Sequence, residues 1–185
     1  MDVDWNAELV DQLETHWQQQ LRPRLDGLTD DEFFWEPVRG CWTLNRRGAS
    51  PTTSPIGDGE FVMDYSPPPY EREPVTTIAW RLAHLIDVFG PPDQPHFESP
   101  RADHPVVGFP GTASGALGAL DEGYAAWLAD LRGIGGPGLG LRQGRPQLFA
   151  EAPMAKFVLH IHREVIHHGA EVSLLRDLYA WRDDG

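Results

Sequence analysis

From Lys156 to Tyr179 the chain reads KFVLHIHREVIHHGAEVSLLRDLY, a long run with no proline and a single glycine, Gly169. Phe157, Ile161, Val172, Leu175 and Tyr179 fall on one side of a 3.6-residue repeat, so the run is an amphipathic helix. That apolar stripe is interrupted. The positions that continue it between Ile161 and Val172 are Glu164 and His168, four apart and one turn above each other. An unpaired carboxylate on a buried stripe costs several kcal/mol, roughly, so a partner must be close. His160 lies one turn before Glu164 on the same face, and His167 is adjacent to His168. Two readings stay open from this helix alone: a metal site, or a Glu–His hydrogen bond on a helix whose histidine-rich side faces solvent.

Length and charge narrow the classes. With 185 residues and 41% hydrophobic content the chain is large enough for one well-buried core and short for two, so a single domain over 1–185 is expected. A formal charge of −13 argues against a nucleic-acid partner, which calls for a basic patch. No run approaches the roughly 20 apolar residues that span a bilayer, and the first residues are acidic and polar rather than signal-like. A soluble, cytoplasmic protein without membrane contact is expected. The one cysteine, Cys41, permits no internal disulfide and reads as structural.

Taken in order, the chain opens with a helix from about Trp5 to Leu25, its buried face formed by Leu9, Leu13, Trp17 and Leu21. Thr29 and Glu32 mark a capping box for a short helix with an aromatic face, Phe33 to Trp35. Cys41 to Leu44 and Phe61 to Tyr65 have strand composition and pair as a small hairpin across a long loop, a candidate lid. A second long helix starts at Thr76 or Thr77 and stops at Gly90. Ile78, Leu82, Leu85 and Phe89 make its apolar line, and Trp80, His84 and Val88 an adjacent one. His84 reads either as a satisfied core histidine or as a third ligand supplied from another helix. His96 and His104, in a Pro-rich loop, read as solvated. A third long helix runs from about Thr112 to Leu131, and a Gly-rich link follows from Gly133 to Gly144 that matches no phosphate-binding pattern. The architecture expected is all-α, a four-helix bundle with long loops and a small β-hairpin.

Three stretches carry a family resemblance: LDGLTDDEFFWEP at 25–37 followed by CW, TIAWRLAHL at 77–85, and HIHREVIHHGAEVSLLRDLY at 160–179. In these the chain resembles the DinB/YfiT-like superfamily of four-helix-bundle metalloenzymes, in particular its actinobacterial branch. The resemblance implies a metal triad of one histidine from the second long helix and two ligands four apart on the last: His84, Glu164 and His168. Many relatives carry histidine where this chain has Glu164. The resulting two-histidine, one-carboxylate set is similar to the zinc site of mycothiol-dependent maleylpyruvate isomerases of the same superfamily. Zinc is the metal expected first, and nickel, iron or manganese also suit such donors. His160 is the substitute ligand, and His167 packs beside the site or orients a ligand; His162 points away from both and is expected at the surface. Glu171, one turn beyond His168, reads as an ordinary salt-bridge partner or, alternatively, as a residue that orients that ligand.

The function this implies is a metal-dependent enzyme using a low-molecular-weight thiol, mycothiol or another, as cosubstrate against a small-molecule electrophile: an S-transferase or isomerase. Trp80, Arg81 and Arg163 are candidate substrate contacts, and Arg46 is a further anchor for an anion. A hydrolase acting through metal-activated water, and a stress-associated bundle that binds metal or a ligand without turnover, are the alternatives. A homodimer with aromatic residues at its interface is compatible with each.

Overall fold

The computed structural model describes residues 2–97, 108–142 and 151–182. Helix α1, Trp5–His16, is capped by Asp4, whose Oδ1 accepts the amides of Asn6 and Ala7 at 3.1 and 3.2 Å. It continues through a π-helical turn, Trp17–Leu21, into α2, Arg22–Arg24. The four-residue spacing of its apolar side chains explains the π turn. On a regular helix each such step drifts by about 40°, so a run of them would carry the stripe off the core. In the π turn the Arg22 amide reaches back five residues to the Trp17 carbonyl, and the wider turn takes that drift back. Leu13, Trp17, Leu21 and Leu25 are consequently all buried.

Helix α3, Asp30–Phe33, starts at Thr29, whose Oγ1 accepts the Glu32 amide. The Glu32 side chain does not close a capping box. It is buried and meets the Arg176 guanidinium in a forked pair, Oε1 to Nε at 2.7 Å and Oε2 to Nη2 at 3.1 Å. Arg176 also donates to the Asp26 carbonyl at 2.9 Å, so a single side chain fastens the segment around Gly27 to the last helix.

Strands β1, Leu44–Arg46, and β2, Phe61–Met63, form an antiparallel pair with Leu44 opposite Met63. The first strand lies later than its sequence suggests, because Trp42 is drawn elsewhere: its amide donates to the Val75 carbonyl and its carbonyl accepts from Thr77. Helix α4, Ile78–Phe89, thus begins pinned to the hairpin. Thr77 Oγ1 accepts the Trp80 amide and also bonds Thr43. Asp64, on the far side of the hairpin, is buried and accepts from the Thr43 amide, the Asn45 amide group and Ser50 Oγ.

Helix α5, Ala113–Leu139, extends past Leu131 into the expected Gly-rich link, with a break at Gly135, where φ is 60°. Helix α6 is Met154–Ala180. Helix α5 lies beside α1 and α4, and α6 beside α4 and α1, which closes a four-helix bundle. Gly169 allows α6 to approach the π turn: a Cβ there would come within 3.0 Å of the Leu21 methyl carbons. Among the described residues no helix is long and apolar enough to cross a membrane.

Two histidines are not where the sequence suggests. His96 is buried, not solvated: Nδ1 lies 2.7 Å from Asp130 Oδ2 and Nε2 2.8 Å from the Phe89 carbonyl, so its loop is tied to α4 and α5. His104 falls outside the described residues. His162 is also buried, because α6 has neighbours on two sides and the side turned away from α4 is covered by α1, where Gln12 Oε1 lies 3.4 Å from its Nδ1. Burial pushes the His162 imidazole down to about 4.

Two stability measurements follow. Arg176→Met leaves the Glu32 carboxylate buried and uncompensated, and should lower the unfolding free energy by about 3 kcal/mol in urea titrations. His162 binds a proton more readily in the unfolded chain than in the fold. Its contribution is therefore complete above the ordinary histidine range and is lost as the pH falls toward about 4. Chemical denaturation between pH 7 and 4 should show a loss that His162→Phe reduces.

Candidate metal centre

Helices α4 and α6 pack against each other, and the seam between them holds the polar residues that interrupt both apolar stripes. His84 comes from α4 and Glu164 and His168 from α6, so the structure brings together the three residues predicted as a triad. Glu164 Oε2 lies 3.3 Å from His168 Nε2 and 3.6 Å from His84 Nε2. The two imidazole rings stand edge to face, their centroids 4.7 Å apart. Donors bound tetrahedrally at 2.0–2.1 Å would lie about 3.3 Å from each other, so this spacing fits one divalent ion with little movement. The side chains of His84 and Glu164 remain about a fifth to a quarter exposed, at 25% and 19%, which leaves the set open to solvent on one side.

Glu164 and His168 are in the protonation state that a metal needs. The His84 imidazole beside Glu164, together with His160 and His168, holds its carboxyl down to about 2 against the opposing effect of burial. Burial pushes His168 and His160 below the ordinary histidine range, so both are neutral at pH 7. Glu171 settles the tautomer of His168. Its Oε2 lies 2.6 Å from His168 Nδ1, and a carboxylate can only accept, so Nδ1 carries the proton and the Nε2 lone pair faces Glu164. Arg81 Nη1 lies 3.0 Å from both His168 Nδ1 and Glu171 Oε2. Since an arginine can only donate, and Nδ1 is itself donating, the Arg81 bond goes to Glu171. Glu171 thus takes both roles that its spacing offers: it is the salt-bridge partner of Arg81 and it orients His168. Spacing does not show which cation it meets, because Arg81 comes from another helix.

The other candidates separate. His160 Nδ1 is 3.2 Å from Glu164 Oε1, the oxygen turned away from the triad, and receives Arg163 Nη2 at 2.7 Å. Its acceptor nitrogen is thus engaged outside the set. His167 is exposed, touches Glu171 Oε1 at 3.3 Å and makes no direct contact with Glu164. His167, His168 and Glu171 form a second group of close donors. The Arg81 guanidinium already neutralises Glu171, however, so a cation is favoured at the first group. Trp80 lies almost parallel to the His84 ring, centroids 5.3 Å apart, and donates its Nε1–H to the Asp64 carbonyl at 2.7 Å. The hairpin and its loop thereby form a wall that reaches His84 through Trp80. Arg81 Nε is buried and has no hydrogen-bond partner among the described residues, a donor left over at the edge of the site. Arg46 lies elsewhere, an exposed pair with Glu60 across the hairpin. Cys41 is buried with Sγ donating to the Val38 carbonyl at 2.8 Å, and burial pushes its thiol up, so it is not poised as a nucleophile.

No curated protein and no solved structure is similar enough to this chain to match it. A family model, described as the DinB superfamily, matches residues 12–172, a span that includes His84, Glu164, His168 and Glu171. With the match covering most of its length and a His/Glu group that could hold a divalent metal at the α4–α6 seam, the chain belongs to the DinB superfamily.

Proposed function

We propose that this protein is a metal-dependent enzyme that uses a low-molecular-weight thiol as cosubstrate, an S-transferase or isomerase, with His84, Glu164 and His168 as its metal ligands. The observation that carries the reading is the donor set itself: two imidazoles, of which His168 is neutral, and one ionised carboxylate at bonding spacing, partly open to solvent. A closed structural site would have a fourth protein ligand at that spacing, and none stands there among the described residues. The thiol comes from the likeness of this set to that of the mycothiol-dependent maleylpyruvate isomerases. A divalent cation, zinc first, would act there as a Lewis acid and lower the pKa of a thiol or water at its open position.

The chain's own residues supply the rest. Glu171 keeps the His168 proton on Nδ1 and the lone pair on Nε2. Arg81 balances the charge of Glu171 and offers its unused Nε–H to an anionic group of thiol or electrophile. Arg163, mostly exposed beside Glu164, is a second cation at the rim. The Trp80 indole gives an apolar wall next to His84 against which the body of an electrophile can lie. No nucleophile from the chain is required, in keeping with the buried, protonated Cys41 thiol.

Elemental analysis of protein purified without added metal or tag histidines tests the centre first. Near-stoichiometric metal is expected in the wild type and its loss in both His84→Ala and Glu164→Ala. The metal-loaded protein should then consume an electrophile such as a maleyl compound only when a small thiol is present. Turnover without thiol would move the reading to a hydrolase, and bound metal without turnover to a non-catalytic bundle. Glu171→Gln keeps the shape of the side chain but removes its charge from His168 Nδ1. Zinc affinity should fall by about 10- to 100-fold in calorimetric titration, with the fold intact by circular dichroism.

A further inference from the structure

Helix α6 carries a second stripe that the metal centre does not use. Counting 100° per residue, Leu159, Arg163, Ile166, Leu174, Asp177 and Trp181 all lie within about 40° of Ala170, on the side opposite the bundle core. The four large apolar side chains among them are 53%, 36%, 58% and 71% exposed, in chain order. A helix face turned to water ordinarily carries charged and polar residues, and large apolar side chains recurring along one mark a contact surface.

The order of residues on this face is symmetric about Ala170. Leu159 and Trp181 stand equally far from it on either side, as do Arg163 and Asp177, and Ile166 and Leu174. When two such helices cross antiparallel on a two-fold axis at Ala170, every residue meets its counterpart: apolar opposite apolar, and a cation opposite an anion twice over. A two-fold interface must be self-complementary in this way, with residue i against j and j against i. Ala170, small and exposed at the crossing, leaves room for the two backbones to approach. A parallel arrangement would instead put Arg163 on Arg163 and Asp177 on Asp177, a repulsion that selects the antiparallel pairing.

We infer that the protein forms a two-fold homodimer through this outer face of α6, with Arg163 of each copy paired to Asp177 of the other. Within its own chain Asp177 is held by Arg24 from α2, at the surface, and Arg163 touches His160 and Glu164. Asp177 has two carboxylate oxygens, and Arg163 Nη1 and Nε remain to meet it. The dimer contact would therefore reach, through a single arginine, the rim of the metal centre.

Sedimentation equilibrium of the full chain over a concentration series tests this. The wild type should be dimeric, and Ala170→Glu, which sets two carboxylates on the axis at an exposed position, should raise the dissociation constant about 100-fold or more while leaving the thermal melt of the monomer unchanged. Arg163→Asp and Asp177→Arg should each weaken the dimer, and the double exchange should recover part of it. In a Cys41→Ser background, Ala170→Cys should oxidise to a covalent dimer, whereas Glu8→Cys should not. A wild type that stays monomeric, leaving the stripe to a membrane or an unrelated protein, would overturn the proposal. So would a dimer that Ala170→Glu does not disturb, or an Ala170→Cys chain that does not cross-link.

Discussion

The Glu164 carboxylate, ionised in the seam between two packed helices, is the constraint to which the neighbouring structure answers. A charge in such a place must be matched. Its Oε2 faces His84 and His168, and its Oε1 faces His160 and Arg163. His84 can be there only because α4 is set at one height and rotation against α6. That setting starts at the hairpin: Trp42 takes the amide of Thr77, Thr77 caps the helix, and Trp80, tied to the Asp64 carbonyl, stacks on His84. A network around Asp64 thus fixes the position of a nitrogen two turns into α4.

A Glu–His hydrogen-bonded core would account for the same burial, but it does not account for the charge. Glu164 is ionised, while His160 and His168 are pushed toward their neutral forms. Glu171, the neighbouring carboxylate, is matched by Arg81. Arg163 offsets Glu164 only in part, from 3.5 Å, through the oxygen turned away from the two imidazoles and largely in solvent. The seam accordingly holds an ionised carboxylate matched only in part, with the His168 Nε2 lone pair and His84 Nε2 both close to the same oxygen. A divalent cation satisfies that combination, whereas a proton satisfies only one member of it.

Periodicity made much of this legible. Apolar stripes place the long helices, and the break in the stripe of α6 points to Glu164 and His168 without any knowledge of packing. What one helix cannot reveal is which neighbour covers its other sides. His162 looked solvent-facing because it points away from Glu164, yet α1 lies there. Glu171 reads as a salt-bridge partner without its cation being legible, because Arg81 is ninety positions earlier in the chain. His96 sits in a proline-rich loop with no period to read, and only Asp130 and the Phe89 carbonyl explain its burial. The π turn did leave a trace, in apolar residues spaced by four over more turns than a regular helix can keep on one face.

In the proposed dimer helix α6 has to meet two demands from opposite sides. The candidate ligands occupy only its middle turns, and a shorter helix would hold them. The proposed contact uses equal arms on either side of Ala170, reaching Leu159 in one direction and Trp181 in the other, and Met154–Ala180 supplies nearly the whole of that span. Arg163 belongs to both sides. It lies close enough to Glu164 to damp its charge and far enough out to meet a carboxylate from a second copy. Engaging that carboxylate would draw positive charge away from the metal ligands, so pairing through this face would make the centre more negative and its hold on a cation stronger.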